Sequence, residues 1–182
     1  METYAAFLRA VNVSGTKRLA MAELRQALEH AGFEQVRSLL QSGNLLFRTA
    51  RASDAAGLAR RVEREIHERL GVQTDVLMRT ADELESILER NPFVAEAERD
   101  PAHVVVMFLR ERATQSSVER LRAAIAGPER VAAGACELYL TYPGGIGESR
   151  LTNAAIERAL GTRGTARNWN TLRKLAAGAR RI

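Results

Sequence analysis

Cysteine, lysine and histidine are scarce in this chain of 182 residues, and aromatic rings are few. The single cysteine, Cys136, excludes an intrachain disulfide and any cluster of thiolate ligands. His30, His67 and His103 fall on a helix end, a mid-helix position and a strand start, without metal-ligand spacing, so neither a metal nor a cofactor is expected. No window approaches the roughly 18 apolar residues that cross a bilayer, and Met1-Glu2-Thr3-Tyr4 is not the basic start of a secretory signal. The expected location is the cytoplasm, with no membrane partner. Aromatic residues are 5% of the chain and no RNP1-like segment is present, which weakens any case for an aromatic platform that stacks bases. Lysine occurs only at 17 and 174; with alanine abundant, the arginine bias is as well explained by a GC-rich genome as by phosphate recognition.

What is present is a 46% apolar composition, enough to bury a core, and an uneven charge. The net charge is +5, but residues 150–182 carry eight basic side chains against the single acid Glu157, a local +7 that leaves −2 for the rest. Such a tail attracts phosphate-bearing ligands or nucleic acid, and it equally suits solvated helix ends.

Periodicity organises the chain. Tyr4 to Val11 reads as a strand, and Met21, Leu24, Leu28 and Ala31 recur at helical spacing until Gly32. Gln35 to Leu40 and Leu45 to Arg48 flank Gln41-Ser42-Gly43-Asn44, a hairpin turn. Ser53 is placed to cap a helix bearing Leu58, Val62, Ile66 and Leu70, closed by Gly71 before a strand from Val72 to Met78. Thr80 and Glu83 form a capping box for a linking helix that Asn91-Pro92 ends, and a loop runs to Ala102. The order then repeats: a strand from His103 to Leu109, a helix with Val118, Leu121 and Ile125, strands at Glu129 to Ala132 and Cys136 to Tyr142, a helix capped by Ser149, a strand at Thr165 to Arg167 and a last helix with Trp169, Leu172 and Ala176. The expected fold is α+β: two tandem βαββαβ units, residues 1–79 and 103–182, joined by a helix and loop at 80–102, with a terminal helix.

The segments Arg9-Ala10-Val11-Asn12-Val13-Ser14-Gly15, Gln41-Ser42-Gly43-Asn44, Arg150-Leu151-Thr152-Asn153 and Arg167-Asn168-Trp169-Asn170-Thr171 together resemble domain-of-unknown-function family 1697, and the likeness runs nearly end to end. The resemblance implies a small bacterial cytoplasmic protein of duplicated ferredoxin-like halves, and brings no activity, substrate or cofactor. Arg150 stands where members often carry lysine, which keeps the charge but removes a deprotonatable amine.

The residues themselves offer two polar clusters. Gly144, Gly145 and Gly147 lie in a strand-to-helix loop before Ser149, Arg150 and Asn153, and free amides at a helix start favour anions. The loop matches neither a P-loop nor a dinucleotide fingerprint, and a plain connector explains it as readily. Because the last strand of a βαββαβ unit runs antiparallel beside the first, Arg167, Asn168 and Asn170 are expected at the same edge as His103 and this loop. The same logic brings Arg9 and Asn12 to Ser42 and Asn44 in the first half, where such residues also satisfy turn backbone. Cys136 is expected beside Leu109 and His103 beside Tyr142, which keeps thiol and imidazole too far apart for a catalytic dyad. Three readings stand: a protein that binds, or an enzyme that acts on, a small anionic or phosphorylated ligand; a module with weak, non-specific and salt-sensitive RNA or DNA affinity; and a structural or protein-interaction module.

Overall fold

A computed structural model describes residues 1–9, 11, 19–40, 43–50 and 54–182. Among them the chain forms an α+β structure of two four-stranded antiparallel sheets and seven helices. It divides into two compact units, residues 1–86 with 174–182, and residues 87–173. These boundaries differ from the sequence-based 79/80 and 102/103, and the last nine residues group with the first unit.

In the first unit, β1 (Glu2–Leu8), α1 (Met21–His30), β2 (Glu34–Leu39), β3 (Asn44–Thr49), α2 (Ala55–Leu70) and β4 (Val76–Thr80) follow in that order, and the sheet runs β2-β3-β1-β4. Tyr4, Ala6 and Leu8 face the helices, where Phe47, Leu24, Leu28, Val62 and Ile66 complete a core. The alternate residues Ala5 and Phe7 are equally buried. A strand covered on both faces reads as a continuous apolar run, which is why β1 shows no alternation. Ser53 lies outside the described residues, and the N-cap of α2 is Asp54, whose carboxylate accepts from the Ala56 N–H at 2.9 Å. Gly71, at φ +65°, takes the left-handed turn that ends α2.

The capping box opens α3 (Ala81–Glu89): Thr80 Oγ1 accepts from the Glu83 N–H at 3.1 Å, and the Glu83 carboxylate accepts from the Thr80 N–H at 2.7 Å. The stretch read as loop to Ala102 instead holds α4 (Val94–Arg99), preceded by a turn in which the Asn91 side-chain oxygen accepts from the Phe93 N–H at 3.0 Å. Helix formers after an Asn-Pro turn were enough for one more turn and a half.

The second unit contains β5 (Val104–Leu109), α5 (Gln115–Ala124), β6 (Arg130–Ala133), β7 (Glu137–Thr141), α6 (Asn153–Leu160) and β8 (Gly164–Asn168), with sheet order β6-β7-β5-β8; α7 (Trp169–Ala179) follows. Val105, Met107, Leu109, Leu138 and Leu140 pack with Val118, Leu121 and Ile156 on the helix side. Val104, Val106, Phe108 and Tyr139 fill the other face and are also buried. Ser149 does not cap α6. The helix begins at Asn153 behind Thr152, whose hydroxyl accepts from the Ala155 N–H at 3.2 Å. Two hydroxyl residues three positions apart compete for the cap, and Thr152 adjoins the first helical turn.

Candidate functional site

Strand pairing brings three ends of the second sheet together. Val104 pairs with Thr141 and Val105 with Asn168, and the Tyr142 N–H donates to the His103 carbonyl at 2.9 Å. The chain then turns at Gly145, whose N–H donates to Tyr142 O at 2.9 Å and whose φ of +90° admits glycine in preference to any L side chain. A methyl group at Gly145 would stand 3.9 Å from His103 Nε2, so imidazole and glycine loop do adjoin. Nδ1 of that imidazole lies 2.6 Å from the Asp100 carboxylate. Nothing lies within 4 Å of a Cβ at Gly144 or Gly147.

Arg167 arrives at this edge through its backbone but not through its side chain. It pairs with Val106, on the face opposite Val105, and its guanidinium donates at 2.8 Å both to Thr165 Oγ1, two residues back on the same face, and to Ala166 O. Burial pushes its pKa down to about 10. Asn168 Oδ1 accepts from the Thr171 N–H at 2.9 Å and so caps α7, whose exposed Asn170 follows. Trp169 is 4% exposed, which makes it core.

Beyond the loop, Ser149 is a brace. Its Oγ accepts from the Leu151 N–H at 3.0 Å and donates to the Glu129 carboxylate, tying residues 149–151 to the end of the α5–β6 connection. Tyr142 reinforces this wall by donating to Leu151 O at 3.0 Å. Burial, with Glu129 nearby as a lesser cause, raises that phenol to about 12. Between these walls and α6 opens a cleft of about 530 Å³, floored by Leu121, Ile125, Leu151, Ala155 and Ala159 and edged by Arg150, Glu148 and Glu129. Arg150 is exposed and makes no hydrogen bond or ion pair among the described residues. Asn153 is exposed at the start of α6. An adjoining hollow shares Ile125, Gly127 and Glu129, but its cations are committed: Arg122 to Val131 O at 3.0 Å, Arg130 to Glu96 and to the Phe93 ring at 4.7 Å. Glu129, Glu148 and Tyr142 carry no sequence signature for such a place; only folding assembles them.

In the first unit, the Arg9 guanidinium lies 4.0 Å from Asp75, and the Arg9 backbone bonds Asp75 O at 2.9 Å and accepts from Thr74 Oγ1 at 2.8 Å. Asn44 is fully buried and donates to Leu39 O at 3.1 Å. Both hold backbone. Asn12 and Ser42 lie outside the described residues. Cys136 sits beside Leu109, donating its thiol to Leu109 O at 3.3 Å and accepting the Leu109 N–H at 3.0 Å. Among the described residues no three acidic, histidine or cysteine side chains gather as a metal site, and no helix is long and apolar enough to cross a membrane.

Residues 1–139 match the family described as "Protein of unknown function (DUF1697)". The chain belongs to that family. The match in this DUF1697 protein takes in residues 1–86 of the first unit and the second as far as β7, and stops short of the glycine loop, Arg150, β8 and residues 174–182. Among solved structures, a conserved bacterial protein of Streptococcus pneumoniae is similar over 98% of both chains, with a TM-score of 0.71 and 23% identity. At that identity the likeness is one of fold. No curated protein matches the DUF1697 chain.

Proposed function

We propose that this protein binds a small anionic ligand in the cleft of its second unit. The observation that carries the reading is Arg150, a cation without a partner among the described residues, on the rim of a cleft of about 530 Å³. That size lies within the roughly 300–1,000 Å³ usual for small-molecule sites, where an apolar floor with a few polar groups is the common design. The glycine loop leads into Glu148 and Arg150, and Asn153 opens α6, and we count both as the wider surroundings of the ligand. We take the two units to be ferredoxin-like, because each has the order βαββαβ and the same strand sequence in its sheet, and we place the protein in the cytoplasm.

Nucleic acid gains no support beyond the basic tail, because Phe108, Tyr139 and Trp169 are all buried and offer no ring for a base. Calorimetric titration with a panel of phosphorylated and carboxylated metabolites tests the proposal. Binding of at least one anion is expected, weakened by about 1.5 kcal/mol in Arg150→Ala, the lower end of the range for a charged hydrogen bond because the site is open to water. A panel without binding, or affinities indifferent to Arg150→Ala, would remove the reading.

A further inference from the structure

Resting on that anion-site reading, we infer that the cleft takes a monocarboxylate with an aliphatic body of medium length, in preference to a phosphorylated metabolite. The charges around the cleft decide the head group. The lining carries one cation, Arg150, unpartnered among the described residues, and two carboxylates, Glu129 and Glu148. A phosphate dianion would bring two negative charges to a rim that is already net negative, whereas a carboxylate brings one and matches the guanidinium fork in shape. The neighbouring cations cannot help: Arg122 is bonded to Val131 O and Arg130 to Glu96.

The floor decides the rest of the ligand. Leu121, Ala124, Ile125, Leu151, Ala155 and Ala159 supply no hydrogen-bonding side chain, so a sugar or nucleoside body would lose its water contacts there without replacement. A hydrocarbon body loses nothing, and each methylene buried strengthens binding about fourfold. The Ser149–Glu129 bond holds the two charged walls together, so the head-group end has a fixed width while the alanines of α5 and α6 leave room for the chain. Small side chains on both helices are what keep the space open.

The experiment is a titration of the full chain, followed by backbone amide shifts and calorimetry, with acetate, octanoate, inorganic phosphate and glucose 6-phosphate. Octanoate should bind at least tenfold more tightly than acetate or either phosphate, with shifts centred on residues 121–129 and 148–159. Arg150→Gln should weaken octanoate at least tenfold. Ala155→Leu, or Ala124→Leu from the α5 side should one variant fold poorly, should weaken octanoate at least tenfold and leave acetate unchanged. If a phosphate binds through Arg150 and octanoate does not, the anion site stands and this inference falls. If octanoate binds but neither filling variant affects it, or its shifts lie elsewhere, the inference also falls. If no probe binds, both fall together.

Discussion

The two units share an element order and a strand order, yet the helix after the third strand is twice as long in the first as in the second. In the first, α2 has 16 residues and buries Leu58, Ala59, Val62 and Ile66. In the second, α6 has 8 residues and fully buries only Ile156. At 1.5 Å per residue the helices span about 24 Å and about 12 Å, so α6 cannot cover the end of α5, and the uncovered space is the cleft. The core follows suit: Phe33 and Phe47 meet at 4.7 Å between ring centres beside Tyr4 in the first unit, while Tyr142 is the one aromatic in the helix-side core of the second. The cleft here goes with a shorter element, with no new one added.

The largest expected effect tests that contrast directly. Ile66→Ala should cost about 3–4 kcal/mol, because a closed layer cannot collapse around the void, and Ile156→Ala about 2 kcal/mol, because its neighbours border an open cleft and can relax. Urea unfolding, with hydrogen exchange to show which sheet loosens, measures both; equal costs would break the comparison.

Next comes alkaline sensitivity, which should belong to the second unit. Burial first, and then Glu137, raises Tyr139 from 10.0 to about 12, and Tyr142 is raised likewise. A raised folded pKa means stability that is fully present below pH 10 and lost as pH climbs to about 12, roughly 2 kcal/mol for each ring. Unfolding measured from pH 8 to 12 should show a net fall, smaller in Tyr139→Phe and in Tyr142→Phe than in the parent. A fall that both variants leave untouched would place the sensitivity in the first unit.

The smallest effect sharpens the picture of α6. Thr152→Ala should cost about 1 kcal/mol and increase exchange of the first-turn amides of α6, whereas Ser149→Ala should leave those amides protected while loosening the wall at Leu151. If the two variants exchanged roles, Ser149 would be the cap after all.

Element order was legible in the sequence because helix and strand periods differ and the breaks fall at Gly32, Gly71 and Gly161. The family, too, was legible from short polar segments. Helix α4 was hidden, since Val94-Ala95-Glu96-Ala97-Glu98-Arg99 buries only Ala97 and so shows no apolar stripe. The side-chain direction of Arg167 was hidden for a different reason. Pairing predicts which strand ends meet, but the face a residue takes depends on register, and one position separates Arg167 from Asn168. The cleft left no local trace, because it depends on how far α6 fails to reach.

The thiol at the rim of the second sheet has a use of its own. Cys136 is the only thiol in the chain and is half-buried, and its two bonds to Leu109 form the last rung where β7 meets β5. A thiol reagent should therefore label Cys136 faster whenever that rung lets go, and the labelling rate, set against that of the unfolded chain, reads those openings. The protein carries a native clock for the fraying of one sheet end, readable without any engineered label.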